Sequence, residues 1–211
     1  MLGSSAPTLA PAIAAEVNLY ALEGRVVREP QNLQVLLQLG QEYSRRFDEG
    51  RLQDDSRKGR EYLDRAVKVA PQSVEAKARS AVLTCLDARE RNSKNLARKG
   101  LSELDALLVV EPNNPLVREL RGFVGIEVPG EFVRVDQALS DLTFVEEQAR
   151  KNPSIINTYA LNMPKVFLKL GKCWRAKGDM ANAKKWWQEA VQASPTSWEG
   201  KTAARLMRKH D

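Results

Sequence analysis

Apolar residues recur every three to four positions along most of this chain, with polar residues between them. Over residues 33–46, Leu36, Leu39, Gly40 and Tyr43 fall on one face of a helix, and over 60–69 Leu63, Ala66 and Val67 do the same. This spacing predicts amphipathic helices, not strands. The helical pattern breaks at Pro30, Pro71, Pro112 and Pro153, spaced 41 residues apart, and again at Pro195, 42 residues further on. Proline has no amide hydrogen and disfavours helix in the residue before it, so each break ends one helical hairpin and opens the next. The segments leading into two of these breaks, 56–71 and 97–112, agree at seven of sixteen places. A second mark follows ten residues after the first three prolines, at Gly40, Ala81 and Gly122, where small side chains allow two helices to approach closely. The pattern predicts a flexible 1–10 and a single repeat domain over 11–211. It places a first unpaired helix at 11–28, hairpins at 32–70, 73–111, 114–152 and 160–194, a loop near 155–163 and a capping helix at 197–208.

The last unit carries a recognisable signature. Between Pro164 and Pro195, the residues Phe167, Leu170, Gly171, Trp174, Gly178, Ala183, Trp187, Ala190 and Pro195 have the spacing of the tetratricopeptide (TPR) repeat, which this unit resembles closely. Gly171 and Ala183 would be the points of close approach, with Trp174 and Trp187 filling the space between the helices and Gly178–Asp179 making the turn. The earlier units look like longer versions, seven residues above the usual repeat of about 34. The extra length is expected around the interhelix connection, with 47–55 as an insertion. The third unit departs further, because Leu120 and Phe123 are shifted by one and Asp141 and Gln148 stand where small apolar residues belong. HEAT and armadillo units have similar periods and stay open as alternatives. The resemblance covers 31–211. It implies an all-α, right-handed α-solenoid of antiparallel hairpins with a C-terminal cap, whose first helices line a concave groove that binds a peptide or helix of a partner protein.

Composition adds mostly exclusions. Cys85 and Cys173 have no CxxC partner and read as small apolar residues on buried faces. The one histidine, His210, reads as a frayed terminal residue and leaves no material for a Ser-His-Asp device or a His-ligated metal. No phosphate loop, HExxH or G-x-S-x-G pattern occurs, so no catalytic residue, metal or cofactor is expected. The N-terminus lacks a basic n-region and no 18-residue apolar window exists, which makes the cytoplasm the default compartment. The periplasm or an organelle would apply if a signal or anchor had been removed.

Charge narrows the search for an interaction surface. Residues 164–211 hold eleven Lys/Arg against four acids, while residues 1–163 hold 22 against 23. Lys165, Leu168, Lys172 and Arg175 form one stripe, roughly 130° around the helix from the core stripe of Phe167, Leu170, Gly171 and Trp174. That stripe is expected to face the groove and to receive an acidic segment or a terminal carboxylate, although lysines on a helix are equally what a solvated face looks like. The next candidates for groove lining are Gln34, Gln41, Ser44 and Arg45 in the first hairpin and Glu75, Ala78 and Val82 in the second. Trp186 lies one residue off the buried face and either packs the cap or marks a contact patch. Two rival readings remain: a nucleic-acid-binding helical repeat, motivated by a pI near 9.4, and an accessory subunit of a membrane transport or secretion assembly.

Overall fold

The computed structural model describes residues 18–50 and 52–210. They form eleven α-helices: α1 (Leu19–Arg28), α2 (Leu33–Gly50), α3 (Gln53–Val69), α4 (Val74–Glu90), α5 (Lys94–Val110), α6 (Pro115–Gly125), α7 (Val135–Lys151), α8 (Ser154–Thr158), α9 (Met163–Ala176), α10 (Met180–Ala193) and α11 (Trp198–Lys209). A 3-10 turn at Gly130–Phe132 leads into α7, and no strand occurs among the described residues. The part of the predicted first helix before residue 18 lies outside the described residues.

The helices begin where the sequence supplies caps. Two residues after four of the periodic prolines, Asn32, Ser73, Asn114 and Ser197 each accept a hydrogen bond from the amide three residues on, at 3.1–3.2 Å. The proline stops one helix and the cap satisfies an amide that would otherwise lack a partner at the start of the next. After the fifth, Pro153, the short α8 occupies the stretch read from sequence as a loop, and Asn162 caps α9 instead.

Helices α2/α3, α4/α5, α6/α7 and α9/α10 pair as four hairpins. Each first helix packs on the first helix of the next hairpin, and each second helix packs on the first helix of the next; α11 covers α9 and α10. The small residues sit at the crossings: Gly40 faces Leu63, Gly122 faces Leu142, and a Cβ at Gly171 would run into the Trp187 indole and the Ala183 carbonyl. Gly178 takes φ +82° in the last turn, and Asp179 caps α10.

Three local expectations change. The seven extra residues of the first unit do lie around the interhelix connection but extend the helices, since α2 runs to Gly50 and α3 starts at Gln53, each about one turn longer than its counterpart in the last unit. Phe47, in the supposed insertion, is fully buried. Asp141 does occupy a buried position, but Arg118 Nη1 donates to it at 2.9 Å and Arg121 Nε and Nη2 at 2.7 and 2.9 Å, so the third unit keeps the helix packing with a paired carboxylate in place of an apolar contact. His210 is half-buried and stacks on Trp187, with ring centroids 6.1 Å apart, so it is a packed residue and not a frayed end.

Gly171→Val places branched carbons against the Trp187 indole and the Ala183 carbonyl, and it should lower unfolding free energy in urea by about 2–3 kcal/mol. An unchanged midpoint would contradict the close approach of α9 and α10.

Candidate interaction site

Helix α4 lies in the middle of the inner layer and is buried on nearly every side, including Ala78, Arg79 and Leu86 on the surface turned toward the other first helices. The inner side of α9 is equally covered, with Leu168 fully buried and Lys169 only 1% exposed. The first helices therefore close around a charged axis and leave little open groove at its centre.

The axis is tied by ion pairs between distant units. Asp48, at the end of α2, accepts from Arg89 Nη1 of α4 at 2.7 Å and from Lys165 Nζ of α9 at 2.8 Å. The same Arg89 Nη1 reaches Glu127, just beyond α6, at 2.7 Å. Glu127 also binds Lys172 at 2.9 Å and pairs with Lys169. Burial alone would raise the pKa of Asp48, but Lys165, Lys169 and Arg89 outweigh it and hold the carboxyl well below its ordinary range. Glu127 follows the same logic, with Lys169 and Lys172 outweighing burial. Burial pushes the Lys169 ammonium down to about 8, against the pull of Glu127.

A second polar chain anchors the start of α9. Glu119 of α6 accepts from the Asn162 amide at 2.6 Å, and Asn162 Nδ2 donates to Glu199 of α11 at 3.2 Å. Full burial raises Glu119 to about 7 despite that hydrogen bond and the nearby Arg79 and Lys165.

The residues expected to form the interaction site are dispersed. Lys165 and Lys172 do turn toward the inner side, but each is held by a carboxylate of the chain itself, and Leu168 is core. Arg175 is exposed and carries no ion pair among the described residues. Gln34, Gln41 and Arg45 lie on the exposed side of α2, with Arg45 bound to Glu42 and Glu49, each at 2.6 Å. Ala78 is core, Val82 half-buried, and Glu75 is paired with Arg79 at 2.8 Å. Trp186 stacks on Phe167 at 5.9 Å, with the Lys185 ammonium over its ring. Cys85 and Cys173 are free, buried thiols pushed up to about 12 by desolvation. Sequence reasoning missed Asp48, Arg89 and Glu127, although Asp48 and Arg89 stand 41 residues apart at one repeat position with opposite charge.

No family model matches the sequence, and no curated protein sequence matches it. Among solved structures the chain is similar to PilF of Pseudomonas aeruginosa, a TPR-containing protein, at 18% identity and a TM-score of 0.52, over 87% of this chain and 72% of that one. The fold is an all-α TPR-like solenoid. Among the described residues, this solenoid has no group of three or more His, Cys, Asp or Glu suited to hold a metal, and no helix long and apolar enough to cross a membrane.

Removing one member of a buried pair strands the other, so Asp48→Asn and Lys165→Met should each cost about 3 kcal/mol in chemical denaturation. The double variant should cost less than the sum by about 1–3 kcal/mol, and strict additivity would show that the pair does not couple the first and fourth units. Glu119 supplies a pH test. Its folded pKa is raised, so its contribution is complete below about 4.5 and is lost as pH rises through about 7. Glu119→Gln should therefore gain on the order of 1–3 kcal/mol relative to wild type between pH 5 and pH 8, and a pH-independent difference would contradict a buried, proton-holding carboxyl.

Proposed function

We propose that the protein is a non-catalytic interaction scaffold that receives an acidic segment of a partner protein on the exposed cations of its last unit and cap. One observation carries this reading. Lys201, Arg205 and Arg208 are exposed at i, i+4 and i+7 of α11, and neither they nor Arg175 and Lys209 have an ion pair among the described residues. The acidic residue of the same helix, Glu199, is turned inward and bound to Asn162. The inner cations Lys165 and Lys172 are each held by Asp48 or Glu127, so the exposed cations without an ion pair in this unit lie on its outside.

The surface chemistry favours a protein over a nucleic-acid strand. All four tryptophans are at least half-buried: Trp198, the one closest to the basic face by sequence, packs against the core, and Trp186 is committed to Phe167. Single-strand binding surfaces pair cations with exposed aromatic platforms, which this face lacks. The exposed large apolar side chains among the described residues, such as Val109 and Val110, lie outside α9–α11.

The test is fluorescence anisotropy with a labelled peptide of alternating Glu and Asp, alongside a labelled single-stranded oligonucleotide, using wild type and a Lys201→Glu, Arg205→Glu, Arg208→Glu variant shown to be helical by circular dichroism. Each exposed cation contributes modestly, so the triple reversal should weaken peptide binding about tenfold or more at low salt. Equal peptide affinity for both proteins, or stronger binding of the oligonucleotide than of the peptide, would overturn the reading.

A further inference from the structure

The inner ion network is unbalanced in a specific way. Four cations, Arg89, Lys165, Lys169 and Lys172, meet two carboxylates, Asp48 and Glu127. Two further carboxylates, Glu119 and Glu199, stand beside Asn162 at the start of α9. Glu119 holds a proton below about 7, and Glu199 acts on Lys165 from α11, so even counting Glu199 a surplus positive charge remains. Uncompensated charge in such a shielded place is costly.

The hydrogen-bond inventory points to the same deficit. Arg89 spends only Nη1 on its two carboxylates, while its Nε and Nη2 are shielded from solvent and have no partner among the described residues. These two nitrogens form the edge of the guanidinium that fits two oxygens of one anion. Lys169 has three donors and is paired with Glu127 alone. The cluster reaches solvent at Lys165 and Lys172, whose side chains are 17% and 22% exposed.

We propose that this axial cluster is an oxyanion-binding site, with Arg89 Nε and Nη2, Lys169 and Lys172 receiving a phosphate or a carboxylate between the inner helices. The ligand oxygens take the open Arg89 edge and the spare ammonium donors, and the anion's charge balances the surplus. Lys172 lies at the entrance and Lys169 at the floor. This site differs from the outer cations of α11, and its existence does not depend on theirs.

Isothermal titration calorimetry of the full chain at pH 7 tests it with two probes, inorganic phosphate and an acetylated tetraglutamate peptide, to separate a free anion from an acidic protein segment. At least one probe should bind saturably at one site. Arg89→Lys keeps the charge but removes the two-donor edge, and Lys172→Gln removes a donor at the entrance; each should raise the Kd about tenfold or more, as loss of a charge-assisted hydrogen bond does. The α11 triple variant should leave that affinity within about threefold, because its charges are outside the cluster. If Arg89→Lys does not fold, Lys172→Gln alone decides. Absence of saturable heat with both probes up to about 10 mM, or an unchanged Kd in the folded variants, would overturn the site.

Discussion

The attraction between Asp48 of the first unit and Lys165 of the fourth governs the rest of the architecture. In an open solenoid each hairpin touches only its neighbours, and the inner side stays available to solvent. Here, side chains 117 positions apart in sequence meet at 2.8 Å, which requires the inner helices to curl until the ends of the array face each other. Arg89 and Glu127 complete the span, and the burial of Leu168, Lys169 and Glu119 follows from the same curl. The backbone supports it because Gly40, Gly122 and Gly171, with Gly100 in the second hairpin, let each hairpin close tightly enough for the first helices to crowd one axis.

Much of the fold was legible because its signals are local. The 41-residue proline period, the small residues at the crossings and the near-complete signature of the last unit specify hairpins without reference to anything distant. The asparagine or serine two residues after the proline was an equally local signal, repeated four times, that strengthens the same boundaries. The extra seven residues fall around the interhelix connection, where they were expected, but as helix. Burial of Phe47 and Asp48 holds residues 47–50 in α2.

The interaction surface was less legible, because helical arithmetic gives the direction of a side chain but not what stands opposite. It grouped Lys165, Leu168, Lys172 and Arg175 on one stripe of α9, of which the first three are enclosed and Arg175 is exposed. It could not show that carboxylates from α2 and the end of α6 already meet those lysines, since the superhelical pitch that brings them together is a property of all four units. The charge excess of the C-terminal quarter consequently divides in two. One part is consumed along the axis and the other, on α11 and at Arg175, stays outside. Net charge alone cannot make that division.

The additional turn at the end of α2 and α4 has a wider consequence. It supplies Asp48 and Arg89, the two residues through which the first hairpin is joined to the third and fourth as well as to the second. A repeat array with only neighbour contacts can fray from either end and can gain or lose a unit with little penalty. Inserting or deleting one hairpin between the first and fourth units would carry Lys165 out of reach of Asp48, so the number of hairpins between them is constrained. Those four units are thereby coupled beyond nearest neighbours, less like an elastic spring than like a clasped strap.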